Sequence, residues 1–210
     1  MTRLLIPLTG HLARAVSWWP LGVAIPLAVL AQAPVLATEP SLRAVLTGLW
    51  LAAGVLGAGA GFALPDLMAA TVVTPVPRWV RQWLRIGLVL APAVLIWAVL
   101  HAVVRWAVAP EVTWPGGFMI LQAAVCGLLP MAAAAIGARH RGTATGALLG
   151  PAAQGLVLVV TLFFAERSSP WSMPSADGWT TAHRVWPVAL IVVVLSLLLA
   201  NREAAGPHGA

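Results

Sequence analysis

Six stretches of this chain are long and apolar enough to cross a lipid bilayer, and that limits what it can fold into. A spanning helix needs about 20 mostly apolar residues. The runs are Val16–Leu36, Arg43–Leu64, Ile86–Arg105, Gly117–Ala138, Thr145–Ala165 and Val185–Ala200. Only 9% of the 210 residues are charged and 60% are hydrophobic, whereas a soluble domain carries about 25% charged residues. So few charges cannot cover a water-facing surface. The expected fold is an all-α integral membrane protein, with one six-helix transmembrane domain over residues 1–200 and a short disordered cytoplasmic tail, 201–210. The first run also resembles a secretory signal, with "VLA" at Val35–Ala37 as a cleavage site. Pro20 and Pro26 interrupt it and Trp18–Trp19 reads as an interfacial anchor, so the span is expected to be retained.

The net charge of +6 comes from twelve arginines and no lysine. They stand singly between apolar runs and form no basic stripe, so they read as topology signals and not as a nucleic-acid surface. With the N-terminus inside, eight arginines are cytoplasmic: Arg3, Arg14, Arg78, Arg81, Arg85, Arg139, Arg141 and Arg202. Four lie outside: Arg43, Arg105, Arg167 and Arg184. Both termini are then cytoplasmic, in what is expected to be a bacterial cytoplasmic (inner) membrane. Cys126, the only cysteine, lies inside an apolar run, which leaves no internal disulfide and no zinc site built on cysteines.

Glycines recur four apart in two runs, at Gly57 and Gly61 and at Gly142, Gly146 and Gly150. That spacing makes a flat face on which another backbone can pack. The face serves either packing within one bundle or a dimer between two copies. Pro92 and Pro130 fall in mid-run and can kink their helices.

The stretch Pro65–Arg85, "PDLMAATVVTPVPRWVRQWLR", is wetter than its surroundings. Asp66 can cap a short helix over Leu67–Val73. "TPVP" stops that helix, and Thr74 can cap a second with Pro75 in its first turn. At about 100° per residue, Arg78, Arg81, Gln82 and Arg85 share one face, and Trp79, Val80, Trp83 and Leu84 the other. This is an amphipathic interfacial helix that runs into the third span, and taken alone it is a positive-inside anchor for anionic lipid.

"MAATVVTPVPRW", Met68–Trp79, resembles the loop between spans two and three of type-2 ATP-binding-cassette exporter permeases, which often reads "LLATPVSRW". Those subunits have six spans with both termini inside. Their loop forms a coupling helix that docks on a separate ATP-binding subunit. The resemblance implies that role for Asp66, Thr74, Pro75 and Arg78, with Arg81 and Arg85 on the same face. It also implies that the segment Met1–Arg14 lies along the cytoplasmic interface, that the permease works as a homodimer or heterodimer in contact with membrane lipid, and that ATP and Mg are bound by the partner and not by this chain. The acidic stretch that often precedes the motif in the family is reduced here to Asp66.

No chemistry of the chain's own is evident. There is no phosphate-binding loop, HExxH or GxSxG motif. His101 and Arg105, one turn apart, form a gate or an anion site, or simply snorkel to the interface. Gln122 and Gln154 bond between helices or line a substrate path. The outer loop with Trp171 and Trp179 closes an outer gate or rests at the interface. Asp177 and His183 are too few for a metal site. The expected function is an exporter permease for an amphiphilic cargo. An accessory, immunity or sensor protein that holds a partner through the same loop is the alternative, and an intramembrane enzyme ranks last.

Overall fold

A computed structural model describes residues 2–36, 41–65, 77–108, 114–141, 144–164, 169–173 and 178–202. The described residues form helices α1 (Thr2–Ala15), α2 (Trp19–Leu30), α3 (Leu42–Gly61), α4 (Arg78–Ala107), α5 (Gly116–Arg141), α6 (Ala144–Ala147), α7 (Leu149–Thr161) and α8 (Trp179–Ala200), with a 3-10 turn at Ala33–Leu36 after α2. No strand occurs among them. Four helices have the length and apolarity to cross a membrane: Leu42–Gly61, Trp79–Ala107, Gly116–His140 and Trp179–Ala200. A fifth crossing is counted if Thr9–Ala15 and Trp19–Val35, bent by 74°, are one broken span. The chain therefore has the make-up of a multi-pass membrane protein.

The departures from six uninterrupted spans have local causes, most of them prolines. The first run is helical only from Trp19 and tightens to a 3-10 turn at Ala33–Leu36, where Pro34 has no N–H to continue the helix. The fifth run is a shorter apolar helix over Thr145–Thr161, with a turn at Leu148 where Pro151 cannot donate to the Ala147 carbonyl. Pro151 sits instead in the first turn of α7, where the missing N–H is harmless. The amphipathic stretch and the third span are one helix of 30 residues, about 45 Å long against a hydrocarbon core of about 30 Å. Its described start is Arg78, and the expected cap at Thr74 lies outside the described residues. Pro77 occupies the N-cap position, outside the helical range. The last helix begins at Trp179, earlier than the expected Val185.

Contacts fix the helix directions. Trp50 meets Gln122, Gly57 meets Gly127, and Gly61 meets Pro130 and Ala134, so α3 and α5 run parallel. Leu49 meets Trp97 and Leu64 meets Gln82, so α4 is antiparallel to α3. Gly150 on Pro130 and Gly146 on Gly137 set α7 against α5, whereas α8 runs with α5, from Phe118–His183 to Arg139–Leu199. Ala24 against Gly59 and Ala31 against Gly48 make α2 antiparallel to α3. The core lies around α3 and α5. Buried residues make up 72% and 56% of their apolar windows, against 17% and 22% for α4 and α8, whose outer faces are left to lipid.

The described glycines of both faces are used inside the chain, and Gly142 lies outside the described residues. A methyl group on Gly57 would collide with the Gly127 carbonyl, and one on Gly150 would sit 2.7 Å from the Pro130 carbonyl oxygen. Gly57, Gly61, Gly146 and Gly150 all seat their helices on α5.

Candidate functional site

The described ends of the 65–85 stretch are tied to each other. Just beyond α3, Gln82 Nε2 donates to the Leu64 carbonyl at 3.0 Å, and Arg85 Nη1 donates to the Pro65 carbonyl at 3.2 Å. Arg85 is buried by this contact, although its place on the polar face had it facing the cytoplasm with Arg78 and Arg81. Bonding this carbonyl outweighs hydration for a side chain this close to Pro65. Trp79 is exposed, Arg81 and Trp83 are partly buried, and Arg78 opens α4. Asp66, Thr74 and Pro75 lie outside the described residues.

At the other end of α3, Ser41 caps the helix by accepting from Ala44 N–H at 3.2 Å. From there Arg43, Thr47, Trp50 and Leu51 follow at i, i+4, i+7 and i+8 on one face. They line one wall of a cavity of about 500 Å³. Leu158, Val159, Thr161, Leu162 and Phe164 of the α7 end form the opposite wall, and Ser169, Trp171 and Ser172 close it. The size suits a small organic molecule, for which pockets run to about 300–1,000 Å³.

The cavity floor is held by indoles. The Trp50 ring lies 4.8 Å from that of Trp171, tilted by 41°. Trp171 in turn meets Trp186 edge-on at 5.1 Å. Trp186 Nε1 donates to the Pro170 carbonyl at 2.8 Å, which fixes the short 169–173 segment on α8. Trp50 Nε1 donates to Gln122 Oε1 at 3.0 Å, a buried bond between α3 and α5. Gln154 reaches the same helix one turn on, where a methyl group on Gly54 would be 2.7 Å from its Nε2. Gln122 and Gln154 therefore both face the interior behind the cavity. Gln122 Nε2 and Gln154 Oε1 are buried without a hydrogen-bond partner among the described residues. Replacing Gln122 by leucine strands the Trp50 N–H and is expected to lower stability by about 1–3 kcal/mol, read as a lower thermal midpoint in detergent.

His101 and Arg105 come together through a residue the sequence did not single out. Trp114, before α5, donates from Nε1 to His101 Nε2 at 3.2 Å. The Arg105 guanidinium carbon is 5.7 Å from the centre of the Trp114 ring, a cation–π contact. Trp97 stacks on His101 at 5.1 Å and donates to the Leu49 carbonyl at 3.0 Å. Trp179 belongs to a separate cluster, with Phe118 at 4.6 Å and His183 at 4.3 Å. Trp171 and Trp179, expected in one gate, thus stand in two groups. No group of three or more His, Cys, Asp or Glu side chains able to hold a metal ion occurs among the described residues.

Sequence reading treated Arg43 only as a topology charge and passed over Thr47, Trp50, Ser169 and Ser172. The signal for the first three was present, as polar and aromatic residues at helical spacing on one face of a span. Comparison with protein-family models, curated proteins and solved structures found no match.

Proposed function

We propose that this chain is the permease subunit of an ATP-binding-cassette exporter, with six crossings, both termini cytoplasmic, and a separate ATPase held through residues 65–85. The observation that carries this reading is the path of α3. The helix runs from the Arg43–Trp50 wall of the cavity to Gly61, and just beyond it Gln82 and Arg85 tie the Leu64 and Pro65 carbonyls to the start of α4. A push on the loop that carries "TPVPRW" then reaches the cavity through the most buried helix of the bundle. The alternation of helix directions from α2 to α8 supports six crossings, with α2 and α7 as the short ones. The 74° bend after α1 supports an interfacial N-terminal helix, which packs against α4. Two permease copies form the transporter, and the motor subunit binds ATP and Mg.

The test is purification of the tagged protein in mild detergent from its native host. An ATP-binding subunit is expected to co-purify in stoichiometric amount. If none does, the chain is an accessory membrane protein and the motif match is accidental.

A further inference from the structure

We propose that the cavity between α3, α7 and the 169–173 segment binds an anionic amphiphile that enters sideways from the bilayer, with its head on Arg43 and its apolar body between Trp50, Leu158 and Leu162. This deepens the permease reading by naming the cargo class.

Most hydroxyl and indole donors around the cavity are already engaged. The Thr47 hydroxyl donates to the Arg43 carbonyl at 2.8 Å, and that of Thr161 to the Leu158 carbonyl at 2.8 Å. The Ser172 hydroxyl donates to the Ser169 carbonyl at 2.7 Å, and the Trp50 indole is taken by Gln122. Each of these protons is committed to the protein. The Arg43 guanidinium is the only charged group among the described lining residues, and no described residue pairs with it as an ion. It also stands in the first turn of α3, a helix with no acidic residue there. The helix dipole is positive at that end, so a cation there is disfavoured and an anion favoured. An arginine placed at that cost, at the mouth of a cavity that is otherwise mostly apolar, fits a phosphate, sulfate or carboxylate head.

The route follows from exposure. Leu162 is 81% exposed and Phe163 85% at the α7 end of the cavity, on a surface that faces lipid. A molecule held in the outer leaflet reaches the cavity without crossing water. Its head stays level with the start of α3, where a span meets the interface. A free anion lacks the apolar body that the indole and leucine walls would bury.

Binding is measured by titration calorimetry on the purified protein in nanodiscs, with no ATPase present. Dodecyl phosphate is expected to saturate one site per chain, with little heat from dodecyltrimethylammonium or inorganic phosphate. Arg43→Gln is expected to raise Kd for dodecyl phosphate about tenfold or more. Leu158→Trp, which fills the cavity from a lipid-side wall, is expected to abolish binding. Arg184→Gln, at an exposed arginine outside the cavity, is expected to leave it unchanged. Equal binding of the cationic and anionic amphiphiles, or an unaltered Kd in Arg43→Gln, overturns the proposal. Binding of inorganic phosphate as tight as dodecyl phosphate also overturns it, because the walls then contribute nothing. If Arg43→Gln does not fold, Leu158→Trp decides: retained binding places the site elsewhere. Binding without a co-purifying ATPase sinks the motor reading alone. An ATPase without binding sinks this proposal alone.

Discussion

Replacing Gly57 by alanine is expected to unfold or strongly destabilise the bundle in detergent, although alanine is the better helix former. Alanine for glycine in a helix interior is worth about 1 kcal/mol in favour of the helix. At Gly57 the added methyl group collides with the carbonyl, carbonyl carbon and Cα of Gly127, so no side-chain rotation relieves it. The α3 and α5 backbones must move apart. That separation strains the Trp50–Gln122 bond and the Gly61 contact with Ala134 on either side. Overpacking in a fixed core costs about 1–3 kcal/mol or more, and here the obstacle is backbone on both sides. The same substitution at Gly155, where nothing lies within 4 Å of the added atom, is expected to be neutral or stabilising. Thermal unfolding followed by size-exclusion chromatography reads both variants. A Gly57→Ala protein as stable as the parent means that α3 and α5 do not meet at this crossing.

The contrast between these two glycines shows what was legible in the sequence. Long apolar runs announce helices because lipid penalises every unpaired backbone group, and the runs at Arg43–Leu64 and Gly117–Ala138 became α3 and α5 nearly as read. Spacing of four between glycines announced a close approach but not its partner, since partner choice depends on tertiary contacts. The interruptions at Pro34 and Pro151 were visible as residues, but whether a proline kinks a helix or ends it depends on what takes up the freed carbonyl. Arg85 was misplaced for a related reason. Its side chain obeys the unpaired carbonyl of Pro65, which helical periodicity does not encode. The cavity was half legible. Arg43, Thr47 and Trp50 share a face by arithmetic, but the opposite wall comes from α7, more than 100 residues away in the chain.

Charge reversal at Arg78 and Arg81 separates the partner-binding role of the loop from its structural role. The stretch contains two kinds of arginine. Arg85 is buried and holds the Pro65 carbonyl just beyond α3, so its loss is expected to weaken the fold. Arg78 opens α4 and Arg81 follows one turn on, in the part of a 30-residue helix that overruns the hydrocarbon core. An anionic cleft on a motor subunit would meet these positions first. Placing glutamate at both puts like charges across such an interface, which costs several kcal/mol; at about 1.4 kcal/mol per tenfold, that is a loss of at least about 100-fold in affinity. The Arg78→Glu, Arg81→Glu protein is therefore expected to purify without the ATPase, with a thermal midpoint lowered less than that of Arg85→Gln because Arg81 is only partly buried. Arg85→Gln is expected to lower the midpoint and to retain the ATPase in whatever fraction stays folded. Retention of the ATPase by the double variant would move the contact away from this face of α4. A double variant as unstable as Arg85→Gln would mean that all three arginines serve the fold, and the coupling role would lose its residues.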